Sequence, residues 1–215
     1  MPSRRPGRSA RVASRKPARK PASRYHHGDL RRALVEEAVR TIGDAGMEAL
    51  TLREAGRRLG VSRTALYRHF RDKSALLAAV AREGFQRFRA DLLEAWEQAG
   101  RGREGFAAMG QAYLRFATAN PSHYRVMFGQ FTALCAKDPG LQADASAAFQ
   151  VLLDALSSLR SQQVVGNQDL NLLAGYIWAA VHGVAMLAID GQLGPDPAAV
   201  RALGDFAVER LSAAL

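Results

Sequence analysis

The sequence predicts an all-α protein, and three observations carry that prediction. Apolar residues recur three and four positions apart in the segments after Arg24, no strand-like alternation of useful length appears, and Gly, Pro and Asn gather between the periodic segments. A 48% hydrophobic share of 215 residues supplies a core and excludes wholesale disorder. The single cysteine, Cys135, excludes an internal disulfide or a Cys-rich zinc site and weakly favours an intracellular protein.

The elements follow in order. Residues 1–24 hold nine basic side chains and no acid, so the remaining 191 residues carry only +1 of the chain's +10. That composition, broken by Pro2, Pro6, Pro17 and Pro21, reads as a disordered basic arm. A transit peptide fits the Arg-rich and Ser-containing composition, but the prolines oppose its amphipathic helix, and no apolar stretch of a secretory signal is present. Leu30, Leu34, Val35, Ala38, Val39 and Ile42 mark a first helix over about Asp29 to Asp44, stopped by Gly46. Thr51-Leu52-Arg53-Glu54 has the form of a capping box and opens a second helix to about Leu59, with Glu54 reaching back to the start. Gly60 turns the chain, Ser62 caps, and Thr64 to Phe70 forms a short third helix whose Leu66 and Phe70 face inward. Asp72 caps a fourth helix that runs to the Gly100-Arg101-Gly102 break and is long enough to link two domains. Further helices are expected over Gly105 to Ala119, Pro121 to Leu134, Ala143 to Arg160, Leu170 to Asp190 and Pro197 to Leu215.

Leu170 to Ile189 contains no Asp, Glu, Lys or Arg and is long enough to cross a bilayer. It contains Asn171 and His182 and lacks a flanking basic cluster, so it reads as a helix buried in a soluble protein or at a subunit interface, with no membrane.

Thr51 to Lys73 holds seven basic residues against two acids, net +5 in an otherwise nearly neutral region. Two short helices joined by a Gly-containing turn have helix-turn-helix geometry, whose second helix enters the DNA major groove. On that reading Arg63 can bond a guanine edge in bidentate fashion, and Thr64 and Tyr67 offer hydroxyls and apolar surface to bases or phosphates. Arg68 or His69 completes the outward face, while Thr51 and Arg53 position a phosphate at the start of the second helix. The run from Thr51 through Arg63-Thr64-Ala65-Leu66-Tyr67-Arg68-His69-Phe70 to Leu77 closely resembles the N-terminal domain of TetR/AcrR-family transcriptional regulators. The match begins at Tyr25-His26-His27-Gly28-Asp29-Leu30 and continues to about Ala81.

The resemblance implies a cytoplasmic bacterial homodimer, nucleoid-associated when bound to a palindromic operator on double-stranded DNA. After the basic arm over 1–24, it implies a three-helix head over 25–72 and a helical ligand-binding and dimerisation domain over 73–215 entered through the fourth helix. Repression relieved by a small-molecule effector is the family default. Thr51, Arg53, Ser62, Arg63, Thr64, Tyr67, His69 and Lys73 are the expected DNA contacts; carried over by motif, Tyr67 and His69 are groove and phosphate contacts and Lys73 meets a phosphate from the start of the fourth helix. One departure is Ala55-Gly56 where the family most often has Ile-Ala; Gly56 costs about 1 kcal/mol of helix propensity and permits close packing of the second helix on the first or third.

Residues 99–215 are nearly neutral, eight basic against nine acidic, with no electrostatic claim on DNA. Trp178-Ala179-Ala180-Val181-His182-Gly183 resembles the Trp-His-Gly signature of one subgroup of TetR-family C-terminal domains. Tyr113, Phe116, His123, Tyr124, Met127, Phe128, Phe131, Trp178, His182 and Met186 are the candidate lining of a cavity for an apolar or aromatic effector. The small-residue stripe Gly175, Ala179 and Gly183, with the final helix's Val200, Leu203, Phe206, Ala207 and Leu211, is the candidate dimer interface. No cofactor or metal is implied, and an enzyme finds no Gly-rich phosphate loop, nucleophile elbow or metal-ligand spacing among the five histidines. The rival reading is an architectural DNA-binding protein relying on its basic arm through phosphates and the minor groove.

Overall fold

The computed structural model describes residues 27–213 and residue 215; the basic arm expected over residues 1–24 lies outside them. All regular structure among the described residues is helical. The order is α1 (His27–Ala45), a 3₁₀ turn (Met47–Ala49), α2 (Leu52–Arg58), α3 (Arg63–His69), α4 (Lys73–Gln98), α5 (Gly102–Ala119), α6 (Pro121–Gly129), α7 (Phe131–Cys135), α8 (Pro139–Ser161), α9 (Leu170–Ile189) and α10 (Pro197–Ala213). One buried cluster runs without interruption from Leu30 on α1 to Leu211 on α10. The long α4 is its axis, touching α1 at one end and α5, α6, α7 and α8 along its length.

Local chemistry sets the head. Gly46 takes φ 82 and its N–H closes α1 on the Ile42 carbonyl at 3.0 Å. Thr51, Ser62 and Asp72 each accept the backbone N–H three residues on, from Glu54, Ala65 and Ala75, at 3.1, 3.2 and 2.8 Å. A Cβ on Gly56 would lie 3.1 Å from Leu66 Cδ2, so this glycine sets the close packing of α2 on α3. Glu37, buried on α1, accepts from Arg58 Nη1 on α2 at 3.2 Å and from Thr41 at 3.3 Å, pinning the two helices together.

Several expectations are corrected. The helix expected over Pro121 to Leu134 is two helices, because Gly129 and Gln130 (φ −129, ψ 24) break the ladder between α6 and α7. Asp138-Pro139-Gly140, expected to divide helices, starts α8: the Asp138 carboxylate accepts from Gly140 and Leu141 N–H, and Pro139 occupies the first turn. α5 likewise begins at Gly102 rather than Gly105. The reciprocal half of the capping box is missing, since the Glu54 carboxylate turns to Arg57 and Arg58 at 2.6 to 3.1 Å; three charge-assisted bonds outcompete one neutral backbone donor.

α9 is long and apolar enough to cross a membrane by length and composition, yet it packs on α5, α8 and α10. Only 22% of its most apolar window is buried. Ala174, Ile177, Val181 and Ala185 face the core, whereas Leu172 (75% exposed) and Tyr176 (62%) are exposed, as is Phe206 (58%) of the adjoining α10.

Candidate functional site

Two sites emerge at opposite ends of α4. In the head, the three-residue turn of Leu59, Gly60 and Val61 and the small capped helix α3 bury Leu66 and Phe70 and leave Ser62, Arg63, Thr64, Tyr67 and Arg68 exposed. The Arg63 guanidinium lies 5.6 Å from the centre of the Tyr67 ring, a cation–π contact that orients both. His69 is half-buried beside them, and Thr51 and Arg53 are exposed at the start of α2. Glu54 engages Arg57 and Arg58, and those guanidiniums hold its carboxyl well below the ordinary range, to about 2. Lys73, half-buried at the start of α4, donates from Nζ to the Met47 carbonyl at 2.7 Å. This fixes the ammonium beside α3 with two further N–H donors. All eight residues expected to meet DNA therefore fall on α2, α3, their caps and the first residue of α4.

The second site is a cavity of about 640 Å³ in the C-terminal bundle. Its walls are Phe85, Phe88 and Leu92 of α4, Phe106, Met109 and Tyr113 of α5, Phe128 of α6, Phe131 of α7, Phe149 and Leu152 of α8, Ile177, Trp178, Val181 and His182 of α9, and Val208 and Leu211 of α10. Exposed Gln142, Ser146 and Gln150, one turn apart on α8, form its rim. Tyr113, Phe128, Phe131, Trp178 and His182 line it as expected from the sequence. Phe116, His123, Tyr124, Met127 and Met186 do not: Met186 is half-buried outside the lining and the other four are packed behind the wall, where Phe116 packs on Phe88 and Met127 seats against Gly84. Leu211 turns into the cavity instead of the open face, because α10 buries Gly204, Val208 and Leu211 on one side and leaves Leu203 and Phe206 on the other. Gly175, Ala179 and Gly183 lie on the open side of α9, and a Cβ on either glycine would meet nothing.

His182 sits at a hydrogen-bonded node. Its Nδ1 is 2.6 Å from the Tyr124 hydroxyl and 3.2 Å from that of Tyr113, and the two hydroxyls are 2.7 Å apart. Burial pushes the His182 pKa below 6.5 and both phenols far above their ordinary value. Sequence reasoning missed the contributions of α4 and α8. The aromatic pair Phe85 and Phe88 on α4 and the Gln142, Ser146 and Gln150 row on α8 were the available signals of a wall and a polar rim.

Residues 34–80 match the family described as bacterial regulatory proteins, tetR family, and residues 106–211 match the tetracyclin repressor-like C-terminal domain. The chain belongs to the TetR family. The C-terminal match spans Trp178 to Gly183 and bears the general domain description rather than that of the Trp-His-Gly subgroup. The class C tetracycline repressor of Escherichia coli is 49% identical over 51 residues, 24% of this chain and 23% of that protein. The chain spans 23% to 39% of the length of the curated relatives it matches. Over nearly its whole length, a protein of unknown function from Rhodococcus sp. RHA1 is 34% identical, with a TM-score of 0.75, covering 88% of this chain and 99% of that one. The TetR-family regulator PfmR of Thermus thermophilus shares the fold at 22% identity and a TM-score of 0.66, covering 82% and 97%. TetR-family proteins are DNA-binding regulators, not enzymes, which sets the enzyme reading aside.

Proposed function

We propose that this TetR-family protein is a cytoplasmic, sequence-specific transcriptional repressor that binds a palindromic operator as a homodimer and leaves it when a small molecule fills the C-terminal cavity. The observation that carries the reading is α3: a doubly anchored short helix that buries Leu66 and Phe70 and presents Arg63, Thr64 and Tyr67 side by side. Arg63, Thr64 and Tyr67 read base edges, and Thr51, Arg53, Ser62, His69 and Lys73 position the backbone. The open apolar side of α9 and α10, with Gly175, Ala179, Gly183, Leu203 and Phe206, is the surface for the second copy. The arm over residues 1–24 adds sequence-independent affinity through phosphates.

α6 is the route between the sites. Tyr124 touches His182 at the cavity wall, Ser122 Oγ lies 3.1 Å from where a Cβ on Gly43 of α1 would stand, and Gly129 faces the Met47 methyl. Met47 is in turn the residue whose carbonyl holds Lys73. A cavity occupant that displaces Tyr124 moves the element on which the head rests.

Footprinting on selected DNA tests the reading. A protected two-fold site supports it; uniform binding without a preferred site would leave the architectural protein. Tyr67→Ala relaxes the site preference, whereas Lys73→Ala weakens all sequences nearly equally and lowers the salt slope by about 1. Unchanged affinity in both variants would overturn the assignment.

A further inference from the structure

We propose, on the reading that the cavity holds this regulator's effector, that the effector is an uncharged molecule whose acceptor oxygen takes a hydrogen bond from Nε2–H of His182. Tyr113 Oη, Tyr124 Oη and His182 Nδ1 form a closed group with separations of 2.7, 2.6 and 3.2 Å. If Nδ1 is bare, Tyr113 donates to Tyr124 and Tyr124 donates to Nδ1, and both phenolic hydrogens are bonded. If Nδ1 carries the hydrogen and donates to Tyr124, then Tyr124 donates to Tyr113 and the Tyr113 hydrogen has no acceptor among the described residues, inside a buried site. Each arrangement leaves one hydrogen without a protein acceptor, but the first leaves it on half-buried His182 and the second on Tyr113, which is only 6% exposed; buried donors are paired in folded proteins, so the first arrangement holds. It places the only imidazole hydrogen on Nε2, which has no hydrogen-bond partner among the described residues, on a residue that lines the cavity.

The walls set the charge. Among the described residues no Asp, Glu, Lys or Arg lines the cavity, and its polar side chains other than Tyr113, Trp178 and His182 are the rim residues Thr132, Gln142, Ser146 and Gln150. A charged group beside His182 would be desolvated without a counter-ion, which is costly, whereas a carbonyl, ester or ether oxygen needs a single donor, which Nε2–H supplies. The aromatic remainder of the wall takes an apolar frame.

Three probes on one two-ring frame separate the possibilities: benzophenone, with an acceptor oxygen; diphenylmethane, with none; and diphenylacetate, with a charge. Equilibrium dialysis on the full chain is expected to show a preference for benzophenone over diphenylmethane that drops about five- to tenfold in His182→Phe. Diphenylacetate is expected to bind more weakly than benzophenone. Nitrogen NMR of the unsubstituted, probe-free protein is expected to show the His182 ring bare at Nδ1 and protonated at Nε2, and it stands if His182→Phe fails to fold. A hydrogen on Nδ1, an unchanged preference in a folded His182→Phe, tightest binding of diphenylacetate, or no binding of any probe overturns the proposal. None of these readouts uses DNA, so failure of the regulator reading appears separately, as the absence of a preferred site in footprinting.

Discussion

Replacing Gly84 with alanine tests whether the contact between α4 and α6 is as tight as its geometry requires. A Cβ there would lie 2.5 Å from Met127 Sδ, 2.9 Å from its Cγ and 3.4 Å from His123 Cβ. The first two distances are far inside the contact range, and Met127 is fully buried, so its thioether cannot retreat into solvent. Inserting a methyl group into such packing costs about 1–3 kcal/mol, against about 1 kcal/mol returned by the better helix propensity of alanine. Because the clash is with two consecutive atoms of one side chain, the upper half of the range applies and Gly84→Ala should destabilise by about 1–2 kcal/mol. For a chain of this length that is a fall of about 2–8 °C in Tm, read by calorimetry or by the midpoint of urea unfolding. Met127→Ala alone leaves a void costing about 2–5 kcal/mol, and the double variant should be more stable than the sum of the singles by about 1–2 kcal/mol, as the new methyl fills that space. A Gly84→Ala protein more stable than the parent by about 1 kcal/mol, with additive behaviour in the double variant, would show that only helix propensity was at stake.

Tyr176→Glu combined with Phe206→Glu places two charges on the open face of α9 and α10 and should give monomers by sedimentation, with loss of two-fold site protection; persistent dimers would place the interface elsewhere. Acid should erode stability in two stages. Burial lowers the folded-state pKa of His182 and, against the opposing pull of Glu83, of His123, so the folded protein binds fewer protons than the unfolded chain below the ordinary value of 6.5. Their contribution is complete above 6.5 and lost as pH falls beneath it, and His182→Asn should flatten the slope of urea midpoint against pH there. Glu54, held at about 2 by Arg57 and Arg58, adds a second loss between 4.5 and 2, absent in Glu54→Gln.

The head was legible because its signals are local. Thr51, Ser62, Asp72 and Gly46 act within four residues of themselves, and each cap and stop forms where its residue type required. The cavity was half legible because membership of a wall depends on rotation about long helices. Tyr124 and Phe128 share α6 one turn apart, yet Phe128 faces the cavity while Tyr124 faces the hydroxyl and imidazole group behind it. Leu211 misled for the same reason: Val208 lies one turn before it and carries the buried stripe, while the Leu203 and Phe206 pair belongs to the opposite side. Glu54 shows competition between equals. A capping box and an ion pair draw on the same carboxylate, and only the placement of Arg57 and Arg58 decides between them.

If the proposed second copy docks on the open side of α9, that surface ties the protein's survival to its own abundance. A newly made copy then presents Leu172, Tyr176 and Phe206 to water until it meets another, and during that interval chaperones and proteases compete for the same surface. Pairing adds stability by mass action, so a sparsely expressed regulator lives closer to its unfolding threshold than the same chain purified at high concentration. Substitutions that weaken pairing would therefore act in cells as losses of protein before they act as losses of operator affinity, and a reporter strain would score both as derepression.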